Sequence, residues 1–234
     1  MIIVTGASQN HLRTLNQMVQ TFFNFYKNST TDTLIVYNLG ISENDWNTFK
    51  EKYAEYTNII YKIFDYSLYP SYLNININAG EYAWKPVIVY DTCTEYNGEI
   101  VVWMDAGNKI NNNLDPLCDF ILTNHIHSSV SGGHIKEWTH PKTIEYMKCE
   151  NVFAANRNAA CIGLNTKTDF IKDLVKEWRD FALIKECIAP EGSGRHNHRQ
   201  DQAVFSILFD KYQQKYKFNS IDQFIKYSIH NDID

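Results

Sequence analysis

Cysteine is sparse in this sequence and follows no pattern. The five present, Cys93, Cys118, Cys149, Cys161 and Cys187, are odd in number and never spaced as CxxC, which argues against a zinc ribbon and against the disulfide frameworks of small secreted domains. Long apolar runs are missing too. No stretch approaches the ~20 residues that span a bilayer, so no membrane span is expected. The first residues, MIIVTGAS, enter a strand at once without a basic leader region, leaving no secretory signal to read. With reduced thiols, this points to a cytoplasmic protein. Basic charge is not in excess, since 22 Lys and Arg face 27 Asp and Glu for a net charge of −5. Nonspecific attraction to a polyanion is thereby disfavoured, and nucleic acid is not an expected partner.

Several catalytic signatures are absent as well. Thr5-Gly6-Ala7-Ser8 follows a first apolar strand and invites the dinucleotide fingerprint, but the chain continues Gln9-Asn10-His11-Leu12 and never supplies the second and third glycines. No GxxxxGK[ST] and no GxSxG occurs, which removes P-loop and serine-hydrolase readings. A Rossmann-type NAD(P) oxidoreductase is further disfavoured because the later helices hold no Tyr-xxx-Lys pair.

What is present is the pattern of an α/β protein. A 44% hydrophobic, 21% charged composition over 234 residues fits one globular domain spanning 1–234. Apolar stretches at 2–4, 33–39 and 58–64 read as strands. Between them, 11–27 and the segment from Ser42 carry apolar residues at helical spacing. That alternation predicts βαβ units and a parallel sheet. Residues 70–80, with three Asn, read as an irregular loop. A helix is expected at 84–96, with Pro86 in its first turn, and a short one from Leu114. Residues 128–133 read as a small-residue hinge. A strand follows at 159–164, then an amphipathic helix at 168–182 with Phe170, Ile171, Leu174, Val175, Trp178 and Phe181 on one side. The last predicted helix carries Asp201 in its first turn.

The stretch 99–110, EIVVWMDAGNKI, organises the rest. Five apolar residues in a row mark a strand covered on both faces, and Asp105 closes it. At the carboxyl end of such a strand a carboxylate is either a ligand-handling group or a turn residue capping its own backbone.

Three segments carry a resemblance. Trp103-Met104-Asp105-Ala106-Gly107 looks like the strand and DxD turn of GT-A glycosyltransferases. Asn158-Ala159-Ala160-Cys161-Ile162-Gly163-Leu164-Asn165 is similar to their acceptor-side strand, and His198-Arg199-Gln200-Asp201-Gln202 to their acidic helix start. In that order, over residues 2–208, the chain resembles the GT-A group with family 8-like features. The resemblance implies a Rossmann-related α/β fold with a mostly parallel sheet flanked by helices. It implies transfer of a sugar from a nucleotide-sugar, such as a UDP-sugar, to a hydroxyl of a glycan, protein or small-molecule acceptor in carbohydrate biosynthesis. It also implies roles. Thr5, Gly6, Ala7 and Asp65, at the ends of the first and third strands, would hold base and ribose. Asp105 would handle the ribose and a divalent metal, Mn²⁺ by expectation, with His230 completing the metal site. Asp201 would act as the base, giving inversion, or would contact the sugar or orient the acceptor, leaving stereochemistry open. Trp138 and Asn158 would lie on the acceptor side, and Trp138, His134 and Gly132-Gly133 would form a mobile lid.

The sequence departs from the pattern at Gly107, where the second Asp of DxD is missing. Without a metal, cations must balance the diphosphate, and Lys85, Arg195, His198 and Arg199 are the candidates. The same departure keeps open a catalytically decayed nucleotide-sugar-binding domain. Plainer roles compete at each position: a turn residue at Asp65, a solvated helix-start lysine at Lys85, a helix cap at Asp201, core packing at Trp138 and a surface histidine at His230.

Overall fold

A computed structural model of the protein describes residues 1–220 and, for the backbone alone, 228–230. In chain order the elements are β1 (Ile2–Ala7), α1 (Leu12–Tyr26), β2 (Thr33–Asn38), α2 (Glu43–Lys52), β3 (Ile59–Ile63), α3 (Trp84–Glu95), β4 (Ile100–Met104) and β5 (Asn108–Ile110). There follow α4 (Asp115–Asn124), β6 (Ile126–His127), β7 (Val130–His134), α5 (Ile135–Trp138), α6 (Pro141–Tyr146), β8 (Ala155–Arg157) and β9 (Cys161–Asn165). The chain then forms α7 (Asp169–Ala182), α8 (Lys185–Ile188), α9 (Gln200–Tyr216) and β10 (Ser228–His230).

The apolar, β-branched runs build a six-stranded sheet in the order β3-β2-β1-β4-β9-β6. β3, β2, β1 and β4 run parallel, and β9 and β6 add an antiparallel edge, so the expected mostly parallel sheet is what the chain forms. Period-two alternation sends successive side chains to opposite faces. Ile3, Leu34, Val36, Val102 and Met104 pack against α1, α2 and α4. Ile2, Val4, Ile35, Val101 and Trp103 join the other layer, with α3, α7 and α9.

In α7, Ile171, Leu174, Val175 and Trp178 are buried along one face, as their spacing predicts. The covered strand of the sequence reading is β4, interior between β1 and β9. Its ladder to β1 pairs Ile2 with Val101 and brings the carboxyl ends of both strands to one edge.

One loop reading needs correction, and a second, the irregular loop at 70–80, gains detail. Residues 128–133 are not a hinge, because Val130–His134 is a strand whose backbone pairs with β8; small residues there fit a strand as well as a hinge. The 70–80 loop contains a 3-10 turn at Ser71–Leu73 and then a left-handed one. Asn78, Ala79, Gly80, Glu81 and Tyr82 have φ of 48, 55, 64, 50 and 54° in succession. Left-handed backbone costs non-glycine residues roughly 1–2 kcal/mol each, so packing must hold this turn. A Cβ on Gly80 would lie 2.3 Å from the Leu73 carbonyl oxygen, which leaves room only for glycine.

Candidate active site

Lys85 is the second residue of α3. Pro86 follows it in the first turn, where a missing N–H leaves no helical bond unmade. The solvated-lysine reading fails here, since Lys85 is only 4% exposed. Its ammonium lies 2.9 Å from Asp105 Oδ1 and 2.9 Å from Asp201 Oδ2, and it donates to the Ala159 carbonyl at 3.4 Å. The Asp201 contact is Coulombic, outside good hydrogen-bond angles.

Asp105 leaves β4 in a tightly fastened turn. Its N–H donates to the Ala160 carbonyl at 2.8 Å. Its carbonyl accepts from the Asn108 N–H at 2.8 Å and from Asn108 Nδ2 at 3.1 Å, and Asn108 Nδ2 also donates to Ala160 at 2.8 Å. The Trp103 indole N–H, two residues back on the same face, donates to Asp105 Oδ1 at 2.6 Å. Asp201 is the second residue of α9 and is buried. Its carbonyl accepts from the Trp178 indole at 2.9 Å. Gln200 before it has φ +34°, backbone strain of the kind that concentrates at functional sites.

Two carboxylates share one ammonium. Burial pulls the Lys85 pKa down, but Asp105 and Asp201 outweigh it and raise it. Burial likewise raises the Asp201 pKa, against the pull of Lys85. Both directions have one meaning. The protonated form is favoured at each group, by the two carboxylates at Lys85 and by burial at Asp201, so Lys85 stays charged and Asp201 becomes a better proton acceptor than a free carboxylate.

The cluster lies beside a cavity of about 550 Å³. Gly6 and Ala7 at the end of β1, with Ser8, Asn10 and His11 after it, form one wall, Leu39 a second, and Ile75, Ala79 and Tyr82 a third, with Lys85, Asp105, Ala106 and Gly107 between them and Arg195 at the rim. Of the expected donor-site residues, Gly6, Ala7, Lys85 and Asp105 therefore meet there. A larger groove of about 680 Å³, bordered by Lys142, Tyr146, Lys185 and Glu191, contains none of the expected residues.

Other expectations change. Thr5 is fully buried in β1 and does not line the cavity. Asp65 is an exposed turn residue whose carboxylate accepts from the Ser67 N–H at 2.9 Å and hydroxyl at 2.6 Å, bonds that hold its pKa below the usual range. It follows β3, the sheet edge, three strands or about 14 Å from β4. Trp138 is half-buried, with the Arg199 guanidinium 4.5 Å from its ring. Asn158 shapes the turn into β9, accepting from the Ala160 N–H at 2.6 Å. Neither lines the cavity. His134 is exposed and paired with Glu137.

His198 is no phosphate-binding cation. It is buried, its Nε2–H donates to the Ile188 carbonyl at 2.8 Å and its Nδ1 accepts the His140 N–H at 3.2 Å. Burial pushes its pKa down to about 4, so the ring is neutral. Arg199 is committed to Trp138, and Arg195 remains at the cavity. His230 pairs by backbone opposite Asn108, and the expectation for its side chain lies outside the described residues. The Trp103 indole escaped the sequence reading because a core tryptophan gives no sign of its N–H partner. Ser8, Asn10 and His11 were findable, since they follow a strand's carboxyl end.

The described residues around Asp105 do not by themselves complete a metal site. Among the described residues, no three His, Cys, Asp or Glu side chains converge. The Oδ1 of Asp105 is already held by an ammonium and an indole.

A family model described as a protein of unknown function, DUF1647, matches residues 1–90. Sequence comparison with curated proteins finds no match. Solved structures match across most of the chain. The galactosyltransferase LgtC, in complex with donor and acceptor sugar analogs, is 19% identical with a TM-score of 0.55, over 89% of this chain and 70% of that one. The fold is that of the GT-A glycosyltransferases. The bifunctional glycosyltransferase WbbM is 13% identical at a TM-score of 0.60, over 89% of this chain but 37% of its own. Mouse xyloside xylosyltransferase 1 is 9% identical at 0.54, over 96% and 84%. In this GT-A frame the cluster of Asp105, Lys85 and Asp201 occupies the carboxyl edge of the parallel strands, where open α/β sheets bind ligands. Among the described residues, no helix is long and apolar enough to cross a membrane.

Proposed function

We propose that the chain transfers a sugar from a nucleotide-sugar donor, a UDP-sugar first among candidates, to a hydroxyl of a glycan, protein or small-molecule acceptor. One observation carries this reading. A GT-A sheet places Lys85 and Asp105 on the wall of a cavity of about 550 Å³ at its carboxyl edge, with the buried Asp201, itself not on that wall, ion-paired to Lys85.

The cavity wall at the carboxyl end of β1, at Gly6 and Ala7, takes the nucleoside, because residues without bulky side chains let a base approach the backbone. Asp105 turns its second oxygen to a donor hydroxyl, since Oδ1 is fixed by Lys85 and Trp103. Asp201, buried and held by Lys85, takes the proton of the attacking hydroxyl or orients the sugar. The first role gives inversion and the second accompanies retention. Trp138 and Asn158 mark the acceptor flank. Lys85 fixes both carboxylates in one geometry, so neither must reorganise during reaction.

Release of nucleoside diphosphate from a panel of nucleotide-sugars tests the reading. Asp201→Asn keeps shape and removes the proton acceptor, and should lower turnover by roughly 10²–10⁴-fold, the usual contribution of a positioned base, with little change in melting temperature. Undiminished turnover would sink the role given to Asp201.

A further inference from the structure

We infer that this site binds the diphosphate of its donor without a divalent metal ion, with Arg195 supplying the balancing charge and Asp105 serving only as a hydrogen-bond acceptor. The inference rests on the nucleotide-sugar reading above. A divalent ion at a phosphate site is held by one or two carboxylates together with the phosphates. Asp105 is the carboxylate available at this turn, and its Oδ1 already contacts the Lys85 ammonium at 2.9 Å and the Trp103 indole at 2.6 Å. An ammonium that close to the ligand oxygen repels a dication, and it is also held by Asp201 at 2.9 Å in a buried position. Gly107, where a second carboxylate would stand, has no side chain. Among the described residues, no other His, Cys, Asp or Glu pair joins Asp105 in a three-membered set.

The charge must then come from elsewhere. Lys85 is spent on two carboxylates. Burial keeps His198 neutral, with both ring nitrogens engaged, and Arg199 lies against Trp138. Arg195 is the remaining expected cation, exposed at the rim of the same cavity. Its guanidinium has the forked donors that match a phosphate.

Isothermal titration of the full chain with UDP, GDP, ADP and CDP, each in EDTA and again in manganese chloride, tests this. The expected result is one nucleotide whose affinity is equal in the two buffers and falls about tenfold in Arg195→Ala in both. Binding that requires manganese, or a manganese-dependent gain that His230→Ala removes, overturns the inference and leaves sugar transfer standing. Metal-independent binding that Arg195→Ala does not weaken overturns the assignment of Arg195. Failure of every nucleotide to bind in either buffer overturns the nucleotide-sugar reading and the inference with it.

Discussion

The two faces of the central sheet are built on different terms. On one face Leu15, Met18 and Phe22 of α1, Trp46 and Phe49 of α2, and Leu117 and Ile121 of α4 close over Ile3, Val36 and Met104. Each such side chain contributes roughly 1.5–3 kcal/mol by leaving water. On the other face α3, α7 and α9 cover Ile2, Val4 and Trp103, yet the same layer buries Lys85, Asp201 and His198. Desolvation cancels much of what a buried ion pair gains, so apolar side chains in those places would stabilise the fold at least as well. The first face can thus be explained by stability alone, and the second cannot. Charges kept against that cost, at the carboxyl edge of a sheet and beside a cavity, are what a working site requires.

The sharpest way to break this contrast is Lys85→Met. Asp201 would be left buried and Asp105 partly buried without their shared cation, which should cost about 3–5 kcal/mol and abolish sugar transfer. The double variant Lys85→Met/Asp201→Asn removes one of the stranded charges and should regain part of the melting temperature but none of the turnover. Recovery of turnover together with stability would mean that the cluster is only a packing feature.

Phe22→Ala probes the other face. This fully buried ring packs against Phe23 and Tyr26, and its loss should cost about 3–5 kcal/mol by transfer and cavity terms. Below the lowered melting temperature, turnover per folded molecule should match the parent. A matching loss of turnover at full folding would erase the distinction between the faces.

The same contrast explains what the sequence made legible. The strands, α1 and α7 were readable because apolar residues recur at the period of their element, and tertiary packing only ratified that pattern. Asp105 was readable because it ends an unbroken apolar strand. Its partnership with Lys85 and Asp201 was not, since a helix-start lysine and a first-turn aspartate look alike whether solvated or buried. Topology alone brings them together. Residues 78–82 hide their left-handed turn for a related reason. Asn78 and Gly80 suit it, but Ala79, Glu81 and Tyr82 adopt it only because the surrounding contacts hold them, Trp84 donating to the Ala79 carbonyl among them. Asp65 failed in the opposite direction, since ending a strand does not place a residue near the site when that strand is the sheet edge.

The smallest expected effect concerns acid. His198 sits in the charged layer between the Ile188 carbonyl and the His140 N–H, an arrangement only the neutral ring satisfies, and burial lowers its pKa from 6.5 to about 4. A group whose folded pKa is depressed contributes stability that is present above its unfolded value and is lost as pH falls toward the folded one. Unfolding free energy should therefore decline between pH 6.5 and about 4. His198→Gln, which keeps a donor and an acceptor but does not titrate, should flatten that decline. His127, also lowered to about 4 by burial, and the carboxylates keep some of the slope in both proteins, so the difference between the two denaturant-unfolding series isolates His198. Phe22→Ala, on the apolar face, should shift the whole pH curve down without changing its shape. If His198→Gln does the same, acid sensitivity does not belong to the charged layer.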